Sequence, residues 1–319
     1  MSLSVIDPIE PAFARTKRIL FQPFDFGKWL RLGFCAFLMG LAEGGGGGGS
    51  AGGGGGGPDG GPGGGGLGFD PMMEWIRDHL AMIVVVAVAL SLVVFAIGLL
   101  LTWLGSRGRF MFLDGVVRNH GAVVAPWHEY RREGNSLFLF RVCLGIIALL
   151  VVVVILGLCA IIALPDIQSR QFGGFGVGAI VMGIVSFLAF GLTMAVISVF
   201  LTDFVVPIMY LRRITVVAAW GEFSSSMLAG NWLPFVLYFL MKILIGFVVG
   251  LLAVAATCLT CCIALIPYVG AVILLPLTVF KQAYPLYFIE QFGPSWRVFP
   301  PDKPPPVADT TTPFANNSF

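Results

Sequence analysis

Runs of about twenty apolar residues recur along this chain, each long enough, at about 1.5 Å per helical residue, to cross a hydrocarbon core of about 30 Å. Lipid offers no hydrogen-bond partner, so a crossing segment must satisfy its own backbone, as a helix does. Composition agrees: 57% of residues are hydrophobic and 11% charged, whereas soluble domains carry about 25% charge. The expected fold class is all-α integral membrane, with six transmembrane helices near residues 29–42, 76–104, 137–164, 177–206, 232–266 and 268–289. The first rises only about 21 Å, so a re-entrant or interfacial helix is the alternative there. It starts too far from the N-terminus and lacks the small-residue cleavage site of a signal peptide.

Lys and Arg in short loops set the orientation. Arg15, Lys17, Arg18, Lys28 and Arg31 precede or open the first span; Arg107, Arg109, Arg118, Arg131 and Arg132 lie between the second and third; Arg212 and Arg213 lie between the fourth and fifth. The opposite segments hold little beyond Arg77 and Arg170. Both termini are therefore expected in the cytoplasm of a cell with the chain in its inner membrane. A net charge of +2 gives no reason to expect nucleic acid as a partner; the basic residues lie where anionic headgroups would meet them.

Two of the basic loops repeat. Val123-Val124-Ala125-Pro126-Trp127-His128-Glu129-Tyr130 matches Val216-Val217-Ala218-Ala219-Trp220-Gly221-Glu222-Phe223, and each copy precedes a Gly-Asn pair, Gly134-Asn135 or Gly230-Asn231, and an apolar span. Gly27-Lys28-Trp29-Leu30, after the mixed basic and apolar segment 12–21, is a fainter third copy. The chain thus divides into three repeats of interfacial helix plus helical hairpin, at 1–104, 105–206 and 207–290, followed by a Pro-rich tail at 291–319. The tail is expected to be extended and cytoplasmic. Arg15, Lys17 and Arg18 are expected to face headgroups from a surface-lying helix, and Trp127, Glu129, Arg131, Arg132, Arg212, Arg213, Trp220 and Glu222 form the candidate lipid or partner surface.

Residues 43–70 are about two-thirds glycine. Glycine disfavours helix by about 1 kcal/mol per residue relative to alanine, so this insertion in the first outer turn reads as a flexible tether. A packed glycine hairpin and a substrate-contacting loop are the alternatives. No G-x-x-x-x-G-K-[ST] pattern accompanies it, so it is not a phosphate cradle.

Charged residues within spans are the candidates for a functional site, since lipid tolerates them only when paired or wet. Lys242 and Lys281 fall inside spans, with Asp203 or Glu290 as available partners, and Pro276 and Pro285 should kink the sixth span near Lys281, Thr278 and Gln282. Lys242, Lys281, Asp203, Thr278 and Gln282 form the candidate intramembrane polar site. Cys258, Cys261 and Cys262 with His79 have the composition of a zinc site, but ordinary helix packing is the favoured account of them, with a redox or disulfide role as a further alternative. His128 beside Glu129 points about 100° away from it on a helix. No H-E-x-x-H or G-x-S-x-G pattern occurs, and neither enzymatic activity nor a cofactor is expected.

The stretches 15–25 with Lys28-Trp29, Ser106-Arg107-Gly108-Arg109-Phe110-Met111-Phe112-Leu113-Asp114, and Asp203-Phe204-Val205-Val206-Pro207 resemble an uncharacterised family of multipass bacterial membrane proteins. The wider architecture looks like the membrane domain attached to some glycerophosphoryl diester phosphodiesterases, without their hydrolase domain, so the resemblance implies no phosphodiesterase activity. The expected function is a membrane-organising or accessory protein engaging membrane lipids, a protein partner or a second copy; the alternative is a transporter or channel for a small solute or lipid.

Overall fold

The computed structural model describes residues 3–42, 79–169, 173–260 and 266–299. The glycine run at 43–70, Arg77, Arg170, Cys261, Cys262 and the tail beyond residue 299 lie outside the described residues. Among the described residues the chain is helical, with no strand. In order come α1 (Ile9–Phe21), α2 (Phe26–Leu41), α3 (Leu80–Arg118), α4 (Val124–Glu129), α5 (Arg131–Ser169), α6 (Gly174–Phe200), α7 (Val206–Arg212), α8 (Val216–Phe223), α9 (Trp232–Leu259), α10 (Pro267–Ile273) and α11 (Leu275–Glu290). A π-turn, Leu201–Val205, joins α6 to α7, and another, Ser224–Leu228, extends α8.

Among the described residues four segments are long and apolar enough to cross a membrane: Leu80–Arg118, Arg131–Asp166, Gly174–Arg212 and Trp232–Leu259. Their most apolar stretches lie almost bare on the surface, as lipid contact requires. The 39 residues of α3 extend about 58 Å, far more than a bilayer core of about 30 Å needs. The surplus becomes protein core, for Gly105 to Val117 are all buried, while Leu90, Val94 and Phe95 are exposed. This core end gathers α1, α2, α7, α8, α11 and the first turns of α9 around it. Phe204, Phe223, Phe235, Tyr238 and Phe288 pack ring against ring there.

The first and sixth expected spans are not among the four long apolar segments. α2 has 16 residues and runs antiparallel along the core end of α3. Its approach depends on glycines: a Cβ at Gly105 would stand 2.3 Å from the Ala42 Cβ, one at Gly108 2.6 Å from the Leu38 Cβ, and one at Gly115 2.6 Å from the Leu32 Cδ1. The sixth is broken at Leu274 into α10 and α11. Pro276 has no N–H for the carbonyl of Val272, and the Trp29 indole supplies one instead, Nε1 donating to that oxygen at 3.0 Å. Pro285 sits within α11 without interrupting it.

Three further expectations are corrected. Arg15 does not face headgroups; it is buried, and its Nη2 donates to the carbonyls of Val116 and Val117 at 3.3 and 2.6 Å, which belong to the last turn of α3 and have no intrahelical donor. Lys28 closes α1 in the same way, donating to the Ile19 carbonyl at 2.7 Å and to Asn119 Oδ1 at 2.6 Å. Gly134 and Asn135 lie inside α5 rather than at its corner, and the chain turns at Tyr130. The start of the tail is packed: Trp296, Val298 and Phe299 are buried, and Glu290 Oε1 accepts from the N–H groups of Val298 and Phe299 at 3.0 and 2.9 Å.

Gly108→Ala is expected to push α2 off α3 and to destabilise the protein by about 1–3 kcal/mol, the cost of overpacking. Gly98→Ala, with nothing within 4 Å of the added carbon, should leave it unchanged. Thermal unfolding of the purified protein in detergent measures both.

Candidate functional site: two buried charge clusters

The π-turn between α6 and α7 carries Asp203, 3% exposed. Its Oδ2 accepts from the Tyr238 hydroxyl at 2.7 Å and pairs with the Lys242 ammonium. Tyr238 and Lys242 stand four residues apart on α9, hence on one face. Lys281 on α11 and Arg109 on α3 lie close enough to interact electrostatically with each other and with this pair. The structure therefore joins Asp203 to Lys242 directly and brings Lys281 beside them. Thr278 makes no hydrogen bond to Asp203, Lys242 or Lys281; its hydroxyl donates to the Leu274 carbonyl at the helix break, 3.1 Å away. Gln282 is buried on α11. Tyr238 and Arg109 were missed from sequence. The spacing of Tyr238 from Lys242 was the available signal for the first, and the Ser-Arg-Gly-Arg stretch for the second.

The second cluster surrounds Asp114, which has no exposure. Its Oδ1 accepts from the hydroxyls of Tyr130 and Tyr210 at 3.1 and 2.9 Å and pairs with Arg118 Nε at 3.1 Å; His120 Nε2 stands 3.5 Å from Oδ2. Tyr130 stacks with the rings of Phe110 and Tyr210, with the Arg213 guanidinium 3.9 Å from its centroid. Glu129 pairs with both Arg118 and Arg213. Burial pushes the Glu129 carboxyl up, but the hydrogen bonds and charges of the two arginines outweigh it and hold the carboxyl below its ordinary value of 4.5.

Four of the six charged residues of the expected lipid surface, Glu129, Arg212, Arg213 and Glu222, thus take part in ion pairs among themselves, though none of them is buried. Arg212 Nε pairs with Glu222 at 3.3 Å and stacks on Trp296. Trp127 meets Trp103 edge to face, and Arg107 lies over both rings at 4.9 and 4.4 Å. Trp220 packs on Phe140 and Phe223. Arg131 and Arg132 are exposed, and among the described residues neither is given a hydrogen bond or ion pair. Among the described residues no group of three His, Cys, Asp or Glu could hold a metal ion.

Asp203→Ala should cost about 3–5 kcal/mol, because it leaves the Lys242 ammonium without its counter-charge. The double variant Asp203→Ala/Lys242→Met should lose less than the two single variants summed. Unfolding free energies of the three variants test the pair.

No curated protein and no solved structure matches the chain, and nothing links it to the membrane domain of glycerophosphoryl diester phosphodiesterases. One family model does match, over residues 3–292, a stretch that holds both charge clusters, the glycine contacts of α2 with α3 and the basic side chains that close the helix ends; the chain belongs to a family of unknown function, DUF7544.

Proposed function

We propose that the chain is a non-enzymatic polytopic inner-membrane protein, membrane-organising or accessory, whose core end collects anionic phospholipid headgroups. The observation that carries this reading is what remains after internal pairing. Lys17, Arg31, Arg131 and Arg132 are exposed, alongside exposed apolar side chains at Phe24, Phe26, Val124 and Val217. A basic rim beside apolar side chains is the chemistry of a membrane interface.

The finer architecture of this proposal keeps six membrane helices in three repeats, with α1, α4 and α8 at the interface and both termini cytoplasmic. A long helix ends in a left-handed residue, Asn119 (φ 57°) or Arg213 (φ 55°), and a short helix follows in each case. The second valine of each repeated motif is bare, Val124 at 71% and Val217 at 74% exposure, which supports membrane insertion at equivalent places. Arg131→Glu/Arg132→Glu should lower the preference of the reconstituted protein for spin-labelled phosphatidylglycerol over phosphatidylcholine by about fivefold or more, since each basic residue near an anionic surface contributes about 1 kcal/mol. An unchanged preference rejects the reading.

A second reading, transport of a small anion, is favoured by the π-turn that carries Asp203, a distortion frequent at functional sites, and by the further positive charge of Lys281 beside the Asp203–Lys242 pair. On that reading, which rests on Lys281 and not on Arg109, Lys281→Met abolishes chloride flux into reconstituted vesicles, and flux at the wild-type rate excludes it.

A further inference from the structure

Between α1, α9 and the break separating α10 from α11 runs a groove of about 740 Å³, walled by Phe13 and Phe21, Leu244 and Val248, and Leu277 and Phe280. Its volume falls within the range of about 300–1,000 Å³ typical of sites that hold small molecules. The groove opens toward lipid: Leu244, Val248 and Leu252 are 56%, 48% and 49% exposed on a helix apolar enough to cross a membrane.

One wall residue is charged. Lys17 lines the groove, is exposed, and among the described residues is given no hydrogen bond or ion pair. Its neighbours on α1 are used internally, Arg15 on the carbonyls of α3 and Thr16 on the carbonyl of Ala12. The methylene stem of a lysine can lie along an apolar wall while the ammonium reaches a polar partner. Beyond Ile9, Phe13 and Phe280 a smaller hollow is flanked by Asp7 and Glu10, whose charge disfavours an anionic head at that end and leaves Lys17 as the anion's partner.

We propose that this groove holds one glycerophospholipid, an acyl chain against α9 and α11 and the phosphodiester on the Lys17 ammonium. The proposal rests on the reading that the chain engages phospholipid and assigns to Lys17, one residue of the basic rim, a one-to-one site apart from Arg131 and Arg132. The match of ligand to groove is chemical at both ends: an apolar trough takes the chain, and a single cation takes a single negative charge.

Native mass spectrometry of the full chain, purified in mild detergent and titrated with phosphatidylglycerol, tests the site. Wild type should retain one lipid per protein. Lys17→Glu should weaken retention about tenfold or more, the size expected for one charge-assisted hydrogen bond, and Lys17→Arg should restore it. Val248→Trp, which fills the groove, should abolish the single adduct, while Leu188→Trp, on a lipid-exposed helix outside the groove, should keep it. Equal retention by Lys17→Glu, Val248→Trp and wild type overturns the site. Arg131→Glu/Arg132→Glu separates the two readings: loss of bulk headgroup preference with the adduct intact leaves the groove standing, and an intact preference with no adduct removes the groove alone.

Discussion

Burying the Asp114 carboxylate completely obliges the chain to bring donors to it, and the donors come from three separate places in the sequence. Arg118 lies one turn further along α3, Tyr130 stands at the corner between α4 and α5, and Tyr210 belongs to α7. An ionised carboxylate without such partners would be costly in a protein interior. Satisfying it fixes how the core ends of α3, α5 and α7 meet. The stacked rings of Phe110, Tyr130 and Tyr210 follow from the same convergence, and Arg213 then closes the cluster from the far side by reaching both Tyr130 and Glu129. The two copies of the repeated motif are thereby tied together: Glu129 of the first copy holds the arginine that precedes the second.

The core end also shows an economical use of charge in a chain that is 11% charged. Helices bundled in or near lipid leave carbonyls at their C-terminal ends that water does not reach, and a cation is the natural partner because it answers both the open acceptors and the negative end of the helix dipole. Arg15 serves α3 and Lys28 serves α1 in this way. Arg107 is instead spread over two tryptophan faces, where a guanidinium gains from the rings without needing an acid. Once these uses are subtracted, the basic residues left at the surface are few, so a headgroup-binding role falls on particular side chains rather than on general positive charge.

The sequence disclosed the four long apolar helices because lipid imposes both their length and their composition. It did not separate them from α2 and the α10–α11 pair, since an apolar residue buried against protein looks the same in sequence as one facing lipid. The distinguishing mark was in the neighbour: Gly105, Gly108 and Gly115 on α3 are spaced to admit another backbone, and Trp29 lies where Pro276 frees a carbonyl. The polar site was legible in part, because lysines within apolar spans demand a counter-charge and Asp203 was the acid at hand. The pairing of Arg212 and Arg213 was not read from the sequence, although the repeated motif carries acids, Glu129 and Glu222, within reach of them. The packed start of the tail was hidden by its prolines, although Trp296 and Phe299 are unusual residues for a segment without a core.

The contrast between the two ends of the helices bears on where function resides. At the core end the Asp114 and Asp203 carboxylates are paired and glycines hold backbones together; further out, Gly98, Gly145, Gly246 and Gly250 have nothing within 4 Å. Among the outer segments α5 and α6 still pack on one another: Ala179 is buried, and a Cβ at Gly183 would stand 3.2 Å from the Cys159 Sγ. The groove beside α9, where the packed end gives way to the open one, is the place where a single lipid would touch both.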